Sequence, residues 1–219
     1  MDWPLLAPLA EDERAAVLEA ARERRFDKGE VVFHEGEPAE AMYLLVSGRL
    51  VVQVSTPDGE RASLNVLGPG DHVGELALLP TGGQRSASVT ALEPATTRVL
   101  TARAFEDLCR RHPAVQGLLV DLLALRVREL STRLLETMYL SLDRRLYNTL
   151  LNLGRSYAEP GGPSRIPLTQ EQLADLVGGT RPTVNQILQR LADQGIIELG
   201  RGRVVLRDPE ALRRKAGHG

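Results

Sequence analysis

Apolar and charged positions alternate at helical spacing from Leu9 to Arg24, which predicts a short amphipathic helix leading into the body of the chain. From Phe26 the texture changes. Short runs rich in Val, Leu and Thr, at 30–34, 41–47, 49–55, 62–67, 86–91 and 97–101, are separated by Gly29, Gly36, Pro38, Gly48, Pro57-Asp58-Gly59, Gly68-Pro69-Gly70 and Pro94. Evenly spaced short strands with turn residues between them predict an antiparallel sandwich or barrel. After Ala102 the helical pattern returns, first from Arg103 to Arg111 and then, beyond Pro113, in a long segment running to about Leu140. Proline suits a helix start because the first-turn amides have no partner to lose.

Within the long helix Val120, Leu123, Val127, Leu130 and Leu134 fall on alternating spacings of three and four, the narrow seam of a two-stranded coiled coil. That seam predicts a parallel homodimer. The alternative is a helix lying on its own barrel. Ser141 caps a further helix with Asp143 in its first turn, which puts a boundary at 140–142. This helix runs through Leu151 and Leu153, and Glu159-Pro160-Gly161-Gly162-Pro163-Ser164 has the composition of a loop.

Thr169 opens a short helix that stops at Gly178-Gly179, and Thr180 caps a second one to about Gln194, so the two form a helix-turn-helix. Leu173, Val177, Val184, Ile187, Leu188 and Leu191 hold the pair together; Arg181, Thr183, Asn185 and Gln186 face outward, with Gln189 or Arg190 outward or flanking. An arginine fork matches a guanine edge and side-chain amides match adenine. Thr169, Gln170 and Thr180 are placed to donate to phosphates. The runs 196–199 and 203–206 around Gly200-Arg201-Gly202 form a hairpin wing that brings Arg201 and Arg203 toward a DNA backbone. Winged helices also serve in protein contacts, so pattern alone leaves both uses open.

Charge sharpens the choice. The 219 residues sum to −2, which speaks against nucleic acid until the chain is divided. Residues 1–141 carry 15 basic and 21 acidic side chains, net −6, while 142–219 carry 12 and 8, net +4. An acidic body followed by a basic module points to a polyanionic partner for the second. A lone cysteine, Cys109, excludes an internal disulfide and a four-thiolate metal site, and no metal is expected. No apolar run approaches the ~20 residues of a membrane helix, and Met1-Asp2-Trp3-Pro4 has no signal-peptide character, so a cytoplasmic protein with no membrane contact is expected. Neither nucleophile elbow, P-loop nor metal-spaced cluster is present, which argues against an enzyme.

The densest chemistry lies at Gly74-Glu75-Leu76-Ala77-Leu78-Leu79 and, after the loop 80–84, Arg85-Ser86-Ala87. It places a carboxylate and a guanidinium ten positions apart around a short helical turn. Two readings follow: a buried ion pair, or an anion held by Arg85, Ser86 and backbone amides with Glu75 accepting from a hydroxyl, which describes a sugar phosphate.

In this order of barrel, long helix and winged helix, with these two motifs, the chain resembles the CRP/FNR family of bacterial transcription regulators over residues 8–207. The resemblance implies an α+β fold: an antiparallel β-barrel of the cyclic-nucleotide-binding jelly-roll type at 1–112, a long dimerisation helix and hinge at 113–141, and a winged helix-turn-helix DNA-binding domain at 142–219. It implies that Gly74, Glu75 and the adjoining Leu76 meet the ribose side of a cyclic nucleotide, that Arg85 and Ser86 hold its phosphate, and that Arg126 lies near. The Thr-Ser pair that contacts adenine in the cyclic-AMP-binding members reads Leu130-Ser131 here, leaving Ser131 to reach the base from a partner subunit. Cyclic AMP is therefore the expected effector, with no other cofactor required; the alternative is another small molecule, or a dimer held active without ligand by the longer apolar seam.

No cysteine cluster of the oxygen-sensing branch precedes Cys109, and His34, His72 and His112 are too scattered for a haem. The expected partners are duplex DNA at a two-fold symmetric operator, a second copy of the chain, the nucleotide, and RNA polymerase. Arg181 keeps the first arginine of the family's best-known recognition helix, but Pro182 and Gln186 stand where that helix carries Glu and a second Arg, so the half-site is expected to differ from TGTGA. A nucleotide-binding subunit without DNA function is the competing class.

Overall fold

The structure, a computed structural model, describes residues 3–55, 61–79, 83–158 and 163–217. The expected turn at Pro57-Asp58-Gly59, the first part of the loop after Leu79 (80–82) and positions 159–162 lie outside the described residues. The chain forms two compact units, Met1–Leu130 and Ser131–Gly219.

The first unit holds two antiparallel four-stranded sheets rather than one closed barrel. One runs β1 (Arg22–Phe26), β8 (Ala95–Thr101), β3 (Ala41–Ser47), β6 (His72–Val73); the other runs β2 (Val31–Phe33), β7 (Ser88–Ala91), β4 (Leu50–Ser55), β5 (Arg61–Leu67). The period of two along β3 divides its side chains between two cores. Ala41, Tyr43 and Leu45 join Phe33, Leu50, Val52 and Val89 between the sheets. Met42 and Leu44 face the other way, toward Val17 of α1 (Glu11–Ala20), Phe105 and Leu108 of α2 (Ala102–Arg111), and Val115, Leu118 and Leu122 of α3 (Ala114–Tyr139). A strand buried on both faces accounts for its unbroken apolar run. Cys109 is half-buried in α2, and burial raises its thiol pKa, as suits a packed thiol.

The first helix ends at Ala20, four residues short of the expected Arg24. Arg22, Glu23, Arg24 and Arg25 are instead an exposed edge strand with only Phe26 buried. Charges along an edge keep other strands from adding to it, and pairing with β8 at every position from Arg22 to Phe26 outweighs a weak helical pattern.

In the second unit α4 (Leu142–Ser156) is capped by Ser141. It is followed by β9 (Ser164–Ile166), α5 (Gln170–Val177), α6 (Arg181–Asp193), β10 (Ile197–Gly200), β11 (Arg203–Leu206) and α7 (Pro209–Ala216). The expected hairpin is a three-stranded sheet, β10-β11-β9, because Ser164 to Ile166 pairs with β11. Ser164 is thus strand rather than loop. Helix α7 was not expected, although Asp208, which accepts from the Ala211 amide at 2.9 Å, and Pro209 after it form a local start signal. Among the described residues no helix is long and apolar enough to cross a membrane.

Candidate functional site

Gly74 turns the chain from β6 into the short 3-10 helix Glu75–Leu78 with a left-handed φ of +81°. A Cβ there would lie 2.5 Å from the Arg85 guanidinium and 3.0 Å from the Ala41 carbonyl, so both conformation and space require glycine. Ala77 and Leu78 are buried and anchor the turn, which leaves Glu75 buried at its start and Leu76 exposed.

Arg85 is fixed through its backbone: its amide donates to the Glu37 carbonyl at 2.7 Å and its carbonyl accepts from Gly36 at 2.8 Å. Its side chain is only 7% exposed and stacks 4.1 Å from the Phe33 ring centre. The ion pair with Glu75 does not form. Among the described residues the Arg85 guanidinium has no carboxylate in ion-pair range; its one hydrogen bond is a 3.5 Å donation to the Gly74 carbonyl, and its Nε has no acceptor. Burial lowers its pKa, opposed by Tyr43, Glu37, Glu40 and Glu75. A buried cation without a counter-charge is costly unless an anion visits.

Glu75 is instead approached by Arg126 of α3 at 3.9 Å, and Arg126 also donates to Glu129 at 3.3 Å. A cavity of about 70 Å³ is lined by Phe33, Gly74, Glu75, Leu76, Arg85, Ser86 and Arg126, among others. A second of about 50 Å³ shares Glu75 and Arg126 and adds Asp71, His72 and Glu129. Burial lowers the pKa of His72, against the pull of Glu75, Asp71 and Glu129, while Arg126 lowers it further. Exposed Leu64 and Leu76 line the first cavity. Ligand pockets usually enclose ~300–1,000 Å³, so a nucleotide requires this rim to open. The sequence reading missed His72 and Glu129; the spacing of Arg126 and Glu129 by one helical turn was the available sign of their pairing. Ser131 is exposed on α3 and is not among the lining residues.

Helix α3 has one buried face and one exposed apolar stripe. Val115, Leu118 and Leu122 are buried in the first unit, whereas Val120, Val127, Leu130 and Leu134 are each more than half exposed. Leu123 is half-buried. Met138 continues the exposed stripe at 63%.

In the second unit Thr169 caps α5 by accepting from the Gln172 amide at 3.2 Å while Gln172 Oε1 accepts from the Thr169 amide at 2.9 Å. Gly178 ends α5 with φ +63°, and Thr180 caps α6. Thr169, Gln170, Arg181, Arg201 and Arg203 gather around one groove of about 360 Å³. Thr180, Thr183 and Gln186 are exposed on or beside the start of α6. Asn185 is half-buried, and its Oδ1 is out of solvent with no donor among the described residues. Arg190 pairs with Asp143 of α4 at 3.0 Å, an engagement the sequence could not show. Arg181 of α6 and Arg201 and Arg203 of the β10–β11 hairpin thus share one groove with Thr169 and Gln170, a set suited to a phosphate backbone.

Residues 23–112 match the cyclic nucleotide-binding domain family and residues 144–215 the Crp-like helix-turn-helix domain family. The chain is 32% identical over 205 residues to a CRP-like cAMP-activated global transcriptional regulator of Mycobacterium tuberculosis, covering 92% of this chain and 91% of that protein. It is 33% identical over 209 residues to the cyclic AMP receptor protein of Thermus thermophilus, covering 95% and 94%. A solved CRP-family transcriptional regulator from Thermus thermophilus superposes with a TM-score of 0.76 at 28% identity, covering 89% of this chain and 96% of that one.

Proposed function

We propose, from the premise that this chain belongs to the CRP/FNR family of DNA-binding transcription regulators, that it is a cytoplasmic homodimer whose operator affinity is set by a cyclic nucleotide, cyclic AMP first. In this reading 1–112 senses, 113–141 pairs the chains and acts as hinge, and 142–219 reads DNA and engages RNA polymerase. Gly74, Glu75 and Leu76 receive the ribose, Arg85 and Ser86 the phosphate, and Arg126 closes on both, with Ser131 offered from the partner subunit. The observation that carries effector control is the buried Arg85, which has no carboxylate in ion-pair range among the described residues, in one cavity with a buried Glu75. The two are suited to opposite ends of one ligand: a guanidinium for a phosphate and a carboxylate for a hydroxyl. Bound ligand shifts the hinge only by its differential affinity for the two arrangements of the dimer.

Calorimetric titration with cyclic AMP and cyclic GMP tests this directly. Saturable binding of cyclic AMP, accompanied by tighter operator binding, is expected; no heat with either nucleotide overturns effector control. A ligand-independent dimer is the second reading, favoured by Leu130, which stands where the family's cyclic-AMP-binding members carry a base-contacting hydroxyl and extends the exposed stripe. That outcome would appear as full operator affinity without nucleotide.

On the DNA side, Arg181→Ala is expected to cost about 1–3 kcal/mol of operator binding and to relax the preference at one base position. Fluorescence anisotropy against operators carrying each base at that position checks it. Equal losses on every duplex would make Arg181 a phosphate contact instead.

A further inference from the structure

The two glycines of the helix-turn-helix are there for different reasons. Gly178 has φ +63°, which a side-chain-bearing residue adopts only with strain. Gly179 has no such angle. A Cβ there would fall 2.8 and 2.9 Å from the two terminal carbons of the half-buried Leu142, so an added methyl requires that side chain to turn away. Leu142 is the first residue of α4, directly after the Ser141 cap. Its isobutyl group is therefore seated on the bare Cα of the turn that precedes the recognition helix α6.

Two further contacts join the same end of α4 to the reading helices. Arg145 brings its guanidinium to 3.8 Å from where a Gly178 Cβ would lie. Asp143 accepts from Arg190 of α6 at 3.0 Å, and the nearby Tyr147 hydroxyl has its pKa raised first by burial and then by the charge of Asp143. The start of α4 thus touches the turn at one end of the recognition helix and Arg190 near its other end. A recognition helix held at two points moves with α4 and not on its own.

We propose that the first two turns of α4 form a clamp that sets the recognition helix, with Leu142 seated on Gly179 and Arg190 held by Asp143, so that Leu142 and Arg190 are positioning residues and Arg190 does not read DNA. The inference rests on the DNA-binding reading and is independent of which effector the first unit takes. It gives the joint at Leu140–Ser141 a direct mechanical line to the residues that meet the groove.

The test uses the full chain and a duplex selected by the wild type from a randomised pool. Gly179→Ala is expected to bind that duplex about threefold more weakly, because the half-buried Leu142 side chain must leave its seat to admit the methyl. The pair Gly179→Ala with Leu142→Ala regains most of the loss, a rescue that general destabilisation would not give. Failure of Gly179→Ala to fold unless Leu142→Ala accompanies it supports the same seat. Arg190→Met should weaken binding equally across single-base variants of the duplex and leave the salt dependence unchanged.

Wild-type affinity in Gly179→Ala, or a double variant no better than the single one, overturns the clamp. So does an Arg190→Met chain that loses preference at one base, or whose salt slope falls by about one. A wild type that selects no duplex at all would overturn the DNA-binding reading itself, and the clamp with it.

Discussion

Val127→Glu together with Leu134→Glu will leave the chain monomeric at micromolar concentration and reduce operator binding to the non-specific level, with both units still folded. Val127 and Leu134 are 62% and 61% exposed, and they lie with Val120 and Leu130 on one stripe of α3. A contiguous apolar stripe of this kind marks a surface awaiting a partner. The proposed occupant is a second copy, because the spacing of three and four matches the seam that two identical helices share. Burying an apolar side chain contributes about 1.5–3 kcal/mol, and a symmetric seam loses four of them in this variant, so the dimer constant should weaken at least about 10⁴-fold.

The opposite face provides the control. Val115, Leu118 and Leu122 are buried against the first unit's own core, so truncating them would unfold the sensor. Sedimentation velocity and anisotropy on the same samples check the prediction. A persistent dimer would remove this face of α3 from the interface, and intact operator affinity in a proven monomer would remove the two-fold operator.

The sequence made legible those features whose causes are local. The helix-turn-helix is specified by Thr169, Gly178 and Thr180, each acting within four residues of itself, and the structure has the caps and the left-handed glycine where these residues stand. Strands β3, β4 and β5 were readable because an apolar run bounded by glycine or proline leaves few alternatives. The edge strand β1 was not: its four consecutive charged side chains carry no burial pattern, and only pairing with a strand more than 70 positions away makes it a strand. Spacing brought Glu75 and Arg85 to one cavity and left open whether they pair or hold a ligand between them. The structure separates them chemically, because Glu75 meets Arg126 from a helix far along the chain, while Arg85 stacks on Phe33. Which cation approaches Glu75 is a tertiary fact that no local pattern contains.

That separation leads to the second large effect: Arg85→Leu will leave the ligand-free chain about as stable as the wild type and remove its response to the effector. Leucine keeps apolar bulk against Phe33, 4.1 Å from the guanidinium it replaces, and relieves the burial of a cation that has no carboxylate partner among the described residues. The lost cation–π contact is worth about 0.5–2 kcal/mol and is offset by that relief, so the unliganded melting temperature should barely move. Ligand binding behaves oppositely. Removing one partner of a desolvated charge pair costs about 2–5 kcal/mol, which weakens the cyclic nucleotide roughly 30- to 5,000-fold. In the wild type, effector at a hundred times its dissociation constant should stabilise the fold by about 2.7 kcal/mol; the same concentration should do almost nothing for the variant. Thermal melting across a cyclic AMP titration reads both quantities at once. A variant that melts far below the wild type without ligand, yet keeps its ligand-induced rise, would make Arg85 a core residue and move the phosphate elsewhere. A variant with unchanged melting and no rise ties the buried, unpaired guanidinium to the anion it was built to meet.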